Sequence, residues 1–286
     1  MKTSQSLIRV VAIGFVACVI TLSSCKKKKS EDVEPDPDLS TERDISNSDN
    51  DQNSLLRDID KVYDGGASAS LREDAFGYAT ILRKDLDTTI EGITYDKFVK
   101  LTYTGNPGDD GQSRSGEVSI FNKGNREAGN FQAHASFSRT KVGGRTVVGT
   151  KKITQQASND ATKWQFAIEA NGTITTIEGK SITYSSNRTR VRSGINTPDI
   201  SDDSFTITGS WVGTNGKGES VSAIISTPLQ LAYSCNYFRE ITAGKIDFTN
   251  NSKGVTRSVN YGSGGCDGKG TFINSKGKAF EFYFKR

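Results

Sequence analysis

Three arginines at alternate positions form a set of charged side chains that could bind an anion. Arg188, Arg190 and Arg192 are separated by Thr189 and Val191. Alternate side chains of a β-strand point to the same face, so the three guanidinium groups are expected to project together. Guanidinium groups bind phosphate and carboxylate groups well, which predicts an anion site for lipopolysaccharide, an acidic glycan or an acidic envelope protein. The alternative is a solvated or edge strand whose charges oppose aggregation.

Residues suited to catalysis are few. His134 is the only histidine, which excludes multi-histidine metal sites, and its neighbours predict a solvated position on the polar face of a strand. Two carboxylate pairs, Asp109-Asp110 and Asp202-Asp203, could be nominated for glycoside hydrolysis. Adjacent strand residues point to opposite faces, and both pairs lie in sequence typical of turns. We therefore expect no enzyme, no metal site and no cofactor.

The segment 108–113 contains the oxygen ligands and glycines of a calcium loop. It lacks the spaced aspartates and the bidentate glutamate of an EF-hand, so the sequence leaves open whether calcium binds near Asp109-Asp110. The surrounding loop, residues 104–116, is long for a compact β-domain and is a functional candidate for that reason.

The N-terminus has the three parts of a secretory signal. Lys2 and Arg9 supply positive charge, residues 10–20 form an apolar run, and small residues follow before Cys25. This run of eleven residues would span only about half of a hydrocarbon core as a helix. We therefore expect a cleaved signal rather than a permanent transmembrane helix.

Leu22-Ser23-Ser24-Cys25 resembles the lipobox of bacterial lipoproteins. The resemblance implies that residues 1–24 are a signal peptide removed before Cys25. It also implies that the Cys25 thiol receives diacylglycerol and that its new amino group receives an acyl chain such as palmitate. Three acyl chains hold a protein on a membrane far more firmly than one.

Residues 25–54 are predicted to form an acylated, disordered tether. They lack aromatic residues and contain only three isolated aliphatic ones, so they cannot form a core of their own. Lys26 to Lys29 would lie beside the lipid, and acidic residues follow from Glu31 to Asp38. Acidic residues after the acylated cysteine resemble the surface-export signal of Bacteroidetes lipoproteins. We expect an outer-membrane anchor. Because four lysines intervene between Cys25 and the acidic residues, the sequence leaves open whether the protein faces the periplasm or the cell surface.

Two cysteines remain after the signal and the acylated residue are set aside, Cys235 and Cys266. An even remainder in an exported chain predicts a disulfide. Two free thiols are the alternative.

The elements that carry these residues have mostly strand periodicity. Leu55, Leu56, Ile59 and Val62 fit one short amphipathic helix, capped by Ser54. After it, apolar residues alternate with polar ones, and Gly-rich turns separate the runs. We therefore predict an all-β fold for residues 55–286, an antiparallel meander that forms a curved sheet, an open barrel or a sandwich.

Two segments have similar patterns, residues 101–124 and 259–277. Each contains a strand, an Asp-Gly turn and a second strand. Either two related β-units within the domain or ordinary hairpin chemistry would explain the similarity.

The C-terminal region also carries a family resemblance. Pro228-Leu229, Cys235 and residues 241–246 and 261–267 are similar to the pattern PL…C…IxxG…YGxGxCD. That pattern is found at the C-terminus of uncharacterised, β-rich Bacteroidetes lipoproteins. The resemblance covers about the last sixty residues, and it implies a Cys235–Cys266 pair but no activity.

The charge distribution supports an envelope location. The whole chain has a formal net charge of +4, and residues 55–286 carry 30 basic and 24 acidic side chains. We expect a lipid-anchored, non-catalytic β-domain that binds an envelope component and not nucleic acid. The alternatives are a periplasmic carrier whose curved sheet surrounds an apolar ligand and, third, a glycan-active enzyme.

Overall fold

The structure is a computed structural model that describes residues 40–64, 77–108, 110–197, 202–235 and 241–283. These residues lie in one compact unit, Asp38–Arg286. They form helix α1 (Ser40–Asp64) and the strands β1 (Ala79–Ile90), β2 (Ile93–Pro107), β3 (Ser113–Lys123), β4 (Gln132–Val142), β5 (Arg145–Gln156), β6 (Lys163–Thr175), β7 (Ser181–Ser193), β8 (Ser204–Thr214), β9 (Ser220–Ala232), β10 (Ala243–Asn250), β11 (Val255–Ser263), β12 (Lys269–Ile273) and β13 (Ala279–Tyr283).

The strands form one open antiparallel sheet. Each strand pairs with its neighbours in sequence, in the order β1 to β13, and β1 and β13 are the two ends of the sheet. The prediction of an all-β antiparallel meander is confirmed, and the strands lie in a single continuous sheet rather than in two packed ones.

The strand side chains alternate as a half-buried sheet requires. In β6, Phe166, Ile168 and Ala170 are buried, whereas Ala167 and Glu169 lie on the opposite face. The β6–β7 hairpin is continuous from the Lys163–Ser193 pair to the Thr175–Ser181 pair. The period of two in the sequence therefore determines both the strands and the face that each presents.

The sheet curves around α1, which lies against its buried face. Arg83 of β1 donates to the carbonyl oxygen of Val62 at 2.8 Å, and Arg257 of β11 contacts Glu42 at 3.2 Å. Eleven flat strands would span roughly 48 Å, which exceeds the length of about 37 Å expected for a helix of 25 residues. The sheet must therefore bend to bring both strands to one helix.

Glycines allow this curvature where two strands approach closely. Gly149 of β5 pairs with Gly172 of β6, and Gly149 has a φ of 150°. A Cβ at Gly149 would lie 2.1 Å from the carbonyl oxygen of Asn171. A side chain here would force the strands apart, so glycine is required.

Helix α1 is longer than the sequence predicted. It begins at Ser40, so residues 40–54 are helical and not part of a disordered tether, and Ser54 lies inside the helix rather than at its cap. Ile45 is only 1% exposed. The prediction was wrong because it counted only the apolar residues of this segment, whereas the sheet also binds its carboxylates. The signal peptide, Cys25 and the first part of the tether lie outside the described residues.

The two similar segments form hairpins at opposite ends of the strands. Residues 101–124 belong to β2 and β3, and residues 259–277 belong mainly to β11 and β12. In a meander, hairpins that are nine strands apart point in opposite directions. This arrangement favours ordinary hairpin chemistry over two related β-units.

The predicted disulfide is present in the structure. Cys235 and Cys266 are bonded, with their Cα atoms 5.6 Å apart. The bond joins the connection after β9 to the connection after β11. It therefore ties together two loops at the same end of the strands.

Candidate functional site

The most distinctive chemistry of the molecule lies between α1 and the sheet. Carboxylates along the helix meet arginines of the sheet and of the loop before β4, and each pair lies within 3.2 Å. These pairs are Glu42–Arg257, Asp49–Arg188, Asp51–Arg145, Asp58–Arg114, Asp60–Arg126 and Asp60–Arg190. We call this set the helix–sheet ion pairs.

The three alternating arginines of β7 share one face, but that face is turned inward. Nη2 of Arg188 donates to both carboxylate oxygens of Asp49 at 2.7 Å. Nη1 of Arg190 donates to Asp60 at 2.6 Å, and Nε of Arg192 donates to Asp203 at 2.8 Å. The arginine stripe therefore binds carboxylates of its own chain, and it is neither a solvated strand nor an open surface for an external anion.

Arg114 is the centre of a second buried cluster, at the C-terminal half of α1. Its Nη1 and Nη2 donate to the two oxygens of Asp110 at 2.8 and 2.6 Å, and its Nε lies 2.8 Å from Asp58. Tyr78 and Tyr103 each donate a hydrogen bond to Asp58, at 2.8 and 2.9 Å. The cluster joins α1 to β2, β3 and the loop between them.

The two carboxylates of this cluster differ in their titration. Burial raises the pKa of Asp58, in spite of the opposing effect of Arg114. Burial also acts on Asp110, but hydrogen bonds from Arg114 and Ser54 outweigh it and hold the pKa of Asp110 well below its usual range. Asp110 is therefore an ionised partner of Arg114.

The calcium hypothesis concerns the loop between β2 and β3, which carries Asp110. Asp110 is committed to Arg114 and Ser54, and Asp109 lies outside the described residues. Among the residues that the structure describes, no group of three or more His, Cys, Asp or Glu residues could hold a metal ion. Of the other nominated carboxylate pair, Asp202 accepts a hydrogen bond from Thr197 at 2.9 Å, and Asp203 is buried against Arg192.

A buried lysine lies at the middle of the interface. Nζ of Lys151 donates to the carbonyl oxygen of Gln52 in α1 at 2.7 Å. Burial, together with the positive charges of Arg188 and Arg190, lowers the pKa of Lys151 to about 7. Burial therefore disfavours the charged form of the Lys151 side chain.

A small cavity adjoins Lys151. Its volume is about 20 Å³, and its lining includes Gln52, Lys151, Tyr184 and Trp211. This volume accommodates about one water molecule. The side chains of α1 otherwise occupy the concave face of the sheet, where a carrier would hold its ligand.

His134 is buried, contrary to the prediction of a solvated position. It lies on the outer face of β4, between Phe121 of β3 and Lys152 of β5, and is only 7% exposed. Its Nδ1 has no hydrogen-bond partner among the described residues, and burial lowers the pKa of His134. The prediction failed because large neighbours such as Phe121 cover part of the outer face.

Sequence reasoning missed the helix–sheet ion pairs, although one signal was present. Ile45, Ser48, Gln52, Leu55 and Ile59 are spaced three or four residues apart and are all buried. This spacing extends the helical pattern of the predicted helix backward. It identifies a longer helix, but it does not identify the arginines that bind it.

In the part of the chain that the structure describes, no helix is both long and apolar enough to cross a membrane. Comparisons with protein-family models, with curated proteins and with solved structures found no match to this chain.

Proposed function

We propose that this protein is a lipid-anchored outer-membrane protein whose β-domain is a non-catalytic module that interacts with the cell envelope. The lipobox-like sequence before Cys25 supplies the anchor. The observation that carries the proposal is the position of α1, which begins at Ser40 and is held by the sheet through the helix–sheet ion pairs. The segment that leads from the anchor is thus an integral part of the folded domain.

The length of the connection limits how far the domain can stand from the membrane. Fourteen residues, 26–39, separate Cys25 from α1. At most they span roughly 50 Å when fully extended. The domain therefore stays close to the surface that holds the acyl chains, which suits a protein that acts on the envelope itself.

The interior charges support a structural rather than a catalytic role. Five carboxylates of α1 are held by arginines, and Asp203 is held by Arg192. A catalytic acid or base must be free to exchange a proton with a substrate. Carboxylates that are committed to arginines instead fix the helix in the sheet.

The interaction module is preferred to the carrier. A carrier needs a ligand-sized apolar cavity. Between α1 and the described part of the sheet, the cavity beside Lys151 has a volume of about 20 Å³. To bind a lipid on the concave face, the protein would have to displace α1 and break its ion pairs.

The anchor is tested by metabolic labelling with a fatty-acid probe. We expect Cys25→Ser to abolish the label and to release the folded protein from the membrane fraction. Cys18→Ser is the matched control, because it changes a cysteine of the signal peptide and should leave the label intact. Label that persists in Cys25→Ser would refute the proposed anchor.

A further inference from the structure

The turns of the sheet segregate charge between the two ends of the strands. Because consecutive strands pair in an antiparallel meander, alternate turns lie at the same end. The turns after β2, β4, β6, β8, β10 and β12 therefore share one end, and the turns after β1, β3, β5, β7, β9 and β11 share the other. With strands of 11 to 13 residues at the centre of the sheet, the ends are about 35 Å apart.

The part of the first end that runs from β6 to β13 is basic, and we call it the lysine edge. Its four turns, residues 176–180, 215–219, 251–254 and 274–278, contain five lysines and two glutamates. The other two turns of this end, after β2 and β4, have no basic side chain among their described residues, and Asp110 in the first of them is held by Arg114. The lysines, all exposed, are Lys180, Lys217, Lys253, Lys276 and Lys278. Glu219 contacts Lys253 at 2.7 Å, and the edge retains a net positive charge.

The turns of the lysine edge are well ordered by their own hydrogen bonds. The amide of Thr176 donates to the carbonyl oxygen of Lys180 at 2.8 Å. In the same way, the amide of Asn215 donates to Glu219 and that of Asn274 donates to Lys278, both at 3.0 Å. The same backbone arrangement therefore recurs in three turns. It presents their lysines to solvent at the same end of the sheet.

An apolar side chain accompanies these lysines. Ile177, at the tip of the turn after β6, is 71% exposed, and a Cβ at Gly144, in the turn after β4, would lie 3.3 Å from its side chain. An exposed aliphatic residue beside basic ones is typical of surfaces that lie in the headgroup region of a bilayer.

The opposite end carries the reverse charge. Its exposed or half-exposed carboxylates are Glu91, Glu127, Asp160, Asp202 and Asp267. In the described parts of these turns, the only basic side chain is Arg126, which is buried against Asp60. The described turns at this end are therefore mainly acidic, and one of their carboxylates, Asp160, contacts Lys163 of β6 at 2.8 Å.

Helix α1 begins at the lysine edge. Asn215 donates from Nδ2 to Oγ1 of Thr41 at 2.9 Å, and the amide of Gly216 donates to Asp44 at 2.9 Å. Both donors belong to the turn after β8. The chain that leads back to Cys25 therefore leaves the domain at its basic end.

We propose that the lysine edge lies on the anionic phospholipid headgroups of the membrane that holds the acyl anchor, with Ile177 at the headgroup boundary. This inference rests on the proposed function, because the anchor supplies the membrane. Charges are screened over about 8 Å at physiological ionic strength, so a surface in contact with the lysine edge does not sense the acidic end. The domain would then stand with its strands away from the membrane and its acidic turns outward.

The test measures the distance of each end from the bilayer. The full acylated chain is mixed with vesicles of phosphatidylcholine, with or without phosphatidylglycerol, that contain a fluorescent headgroup lipid. A dye is attached at Ser275→Cys in the lysine edge or, as the matched position, at Ala161→Cys in the acidic end. We expect energy transfer from Ser275→Cys to increase when phosphatidylglycerol is present, and transfer from Ala161→Cys to stay low in both.

Charge variants show whether the lysine edge is responsible. Lys180→Gln, Lys217→Gln and Lys276→Gln together should abolish the increase. The control, Lys84→Gln, Lys97→Gln and Lys269→Gln, removes the same charge elsewhere and should preserve it. Equal loss in both triple variants, or no dependence on phosphatidylglycerol, would overturn the inference.

The anchor is scored separately, by flotation of the chain with phosphatidylcholine vesicles. Flotation without any change in energy transfer would reject the lysine edge and keep the anchor. Failure to float with neutral vesicles would reject the anchor. If the anchor is rejected, salt-sensitive flotation with phosphatidylglycerol vesicles would still support membrane binding by the lysine edge. No flotation with those vesicles would refute membrane binding by the lysine edge.

Discussion

Arg190 and Asp60 are 130 residues apart in the sequence and form an ion pair at the centre of the molecule. Nη1 of Arg190 donates to Oδ2 of Asp60 at 2.6 Å, while Arg126 contacts the other oxygen of Asp60 at 2.8 Å. Burial lowers the pKa of Arg190, and the charge of Asp60 opposes that effect. One carboxylate of α1 thus joins β7 to the loop before β4.

Loss of Arg190 should destabilise the fold strongly. Arg190→Met leaves Asp60 with one arginine in a buried position, and breaking such a pair costs about 3 kcal/mol. The free energy of unfolding in urea measures the effect. Arg139→Met, at an exposed position of β4, is the control and should change stability by less than about 0.5 kcal/mol. Similar values for the two variants would contradict a central role for Arg190.

Because α1 extends to Ser40, we expect Ile45 to contribute to the stability of the folded domain. Because Ile45 is buried, Ile45→Ala should cost about 2–4 kcal/mol of unfolding free energy. Asn50→Ala, on the exposed side of the same helix, should be nearly neutral. Hydrogen exchange should also show protection of the amides around Ile45. A neutral Ile45→Ala variant with unprotected amides would instead indicate a disordered tether.

Lys151 should make stability depend on pH. Its pKa is about 7 in the folded protein and about 10.4 in an unfolded chain, so the unfolded state binds more protons between these values. Burial of Lys151 therefore destabilises the folded protein less as the pH rises above 7, and the free energy of unfolding increases.

Replacement of Lys151 provides the measurement. Lys151→Met should be more stable relative to the wild type at pH 7 than at pH 9, as measured by urea unfolding at both values. Lys152→Met, which changes the adjacent residue on the outer face of β5, is the control. A stability difference for Lys151→Met that stays constant from pH 7 to 9 would be inconsistent with a buried ammonium group.

The disulfide should contribute to stability through the loop that it closes. Cys235 and Cys266 are separated by 31 positions, and a loop of this length corresponds to roughly 3.7 kcal/mol in the chain-entropy model. The variant with Cys235→Ala and Cys266→Ala should therefore unfold at a lower temperature than the oxidised wild type. Reductant should lower the unfolding temperature of the wild type and leave that of the variant unchanged.

The sequence by itself determined the antiparallel strands, their turns and the cysteine pair. In β6 and β7, alternation of apolar and polar residues is a local property that directly specifies a half-buried strand. Glycines and asparagines in the turns then limit each strand to pairing with its neighbour. These features can be predicted from the local sequence, without knowledge of any distant contact.

Only the tertiary structure decided the role of the charges. Asp49, Asp51 and Asp60 suggest a solvated segment when they are considered alone, and Arg188 and Arg190 suggest a binding surface. The curved sheet pairs Asp51 with Arg145 across 94 positions of sequence, Asp60 with Arg190 across 130 and Asp49 with Arg188 across 139. Burying either set unpaired would be very costly, so each becomes part of the interior only because the other is there, and no local pattern records that dependence.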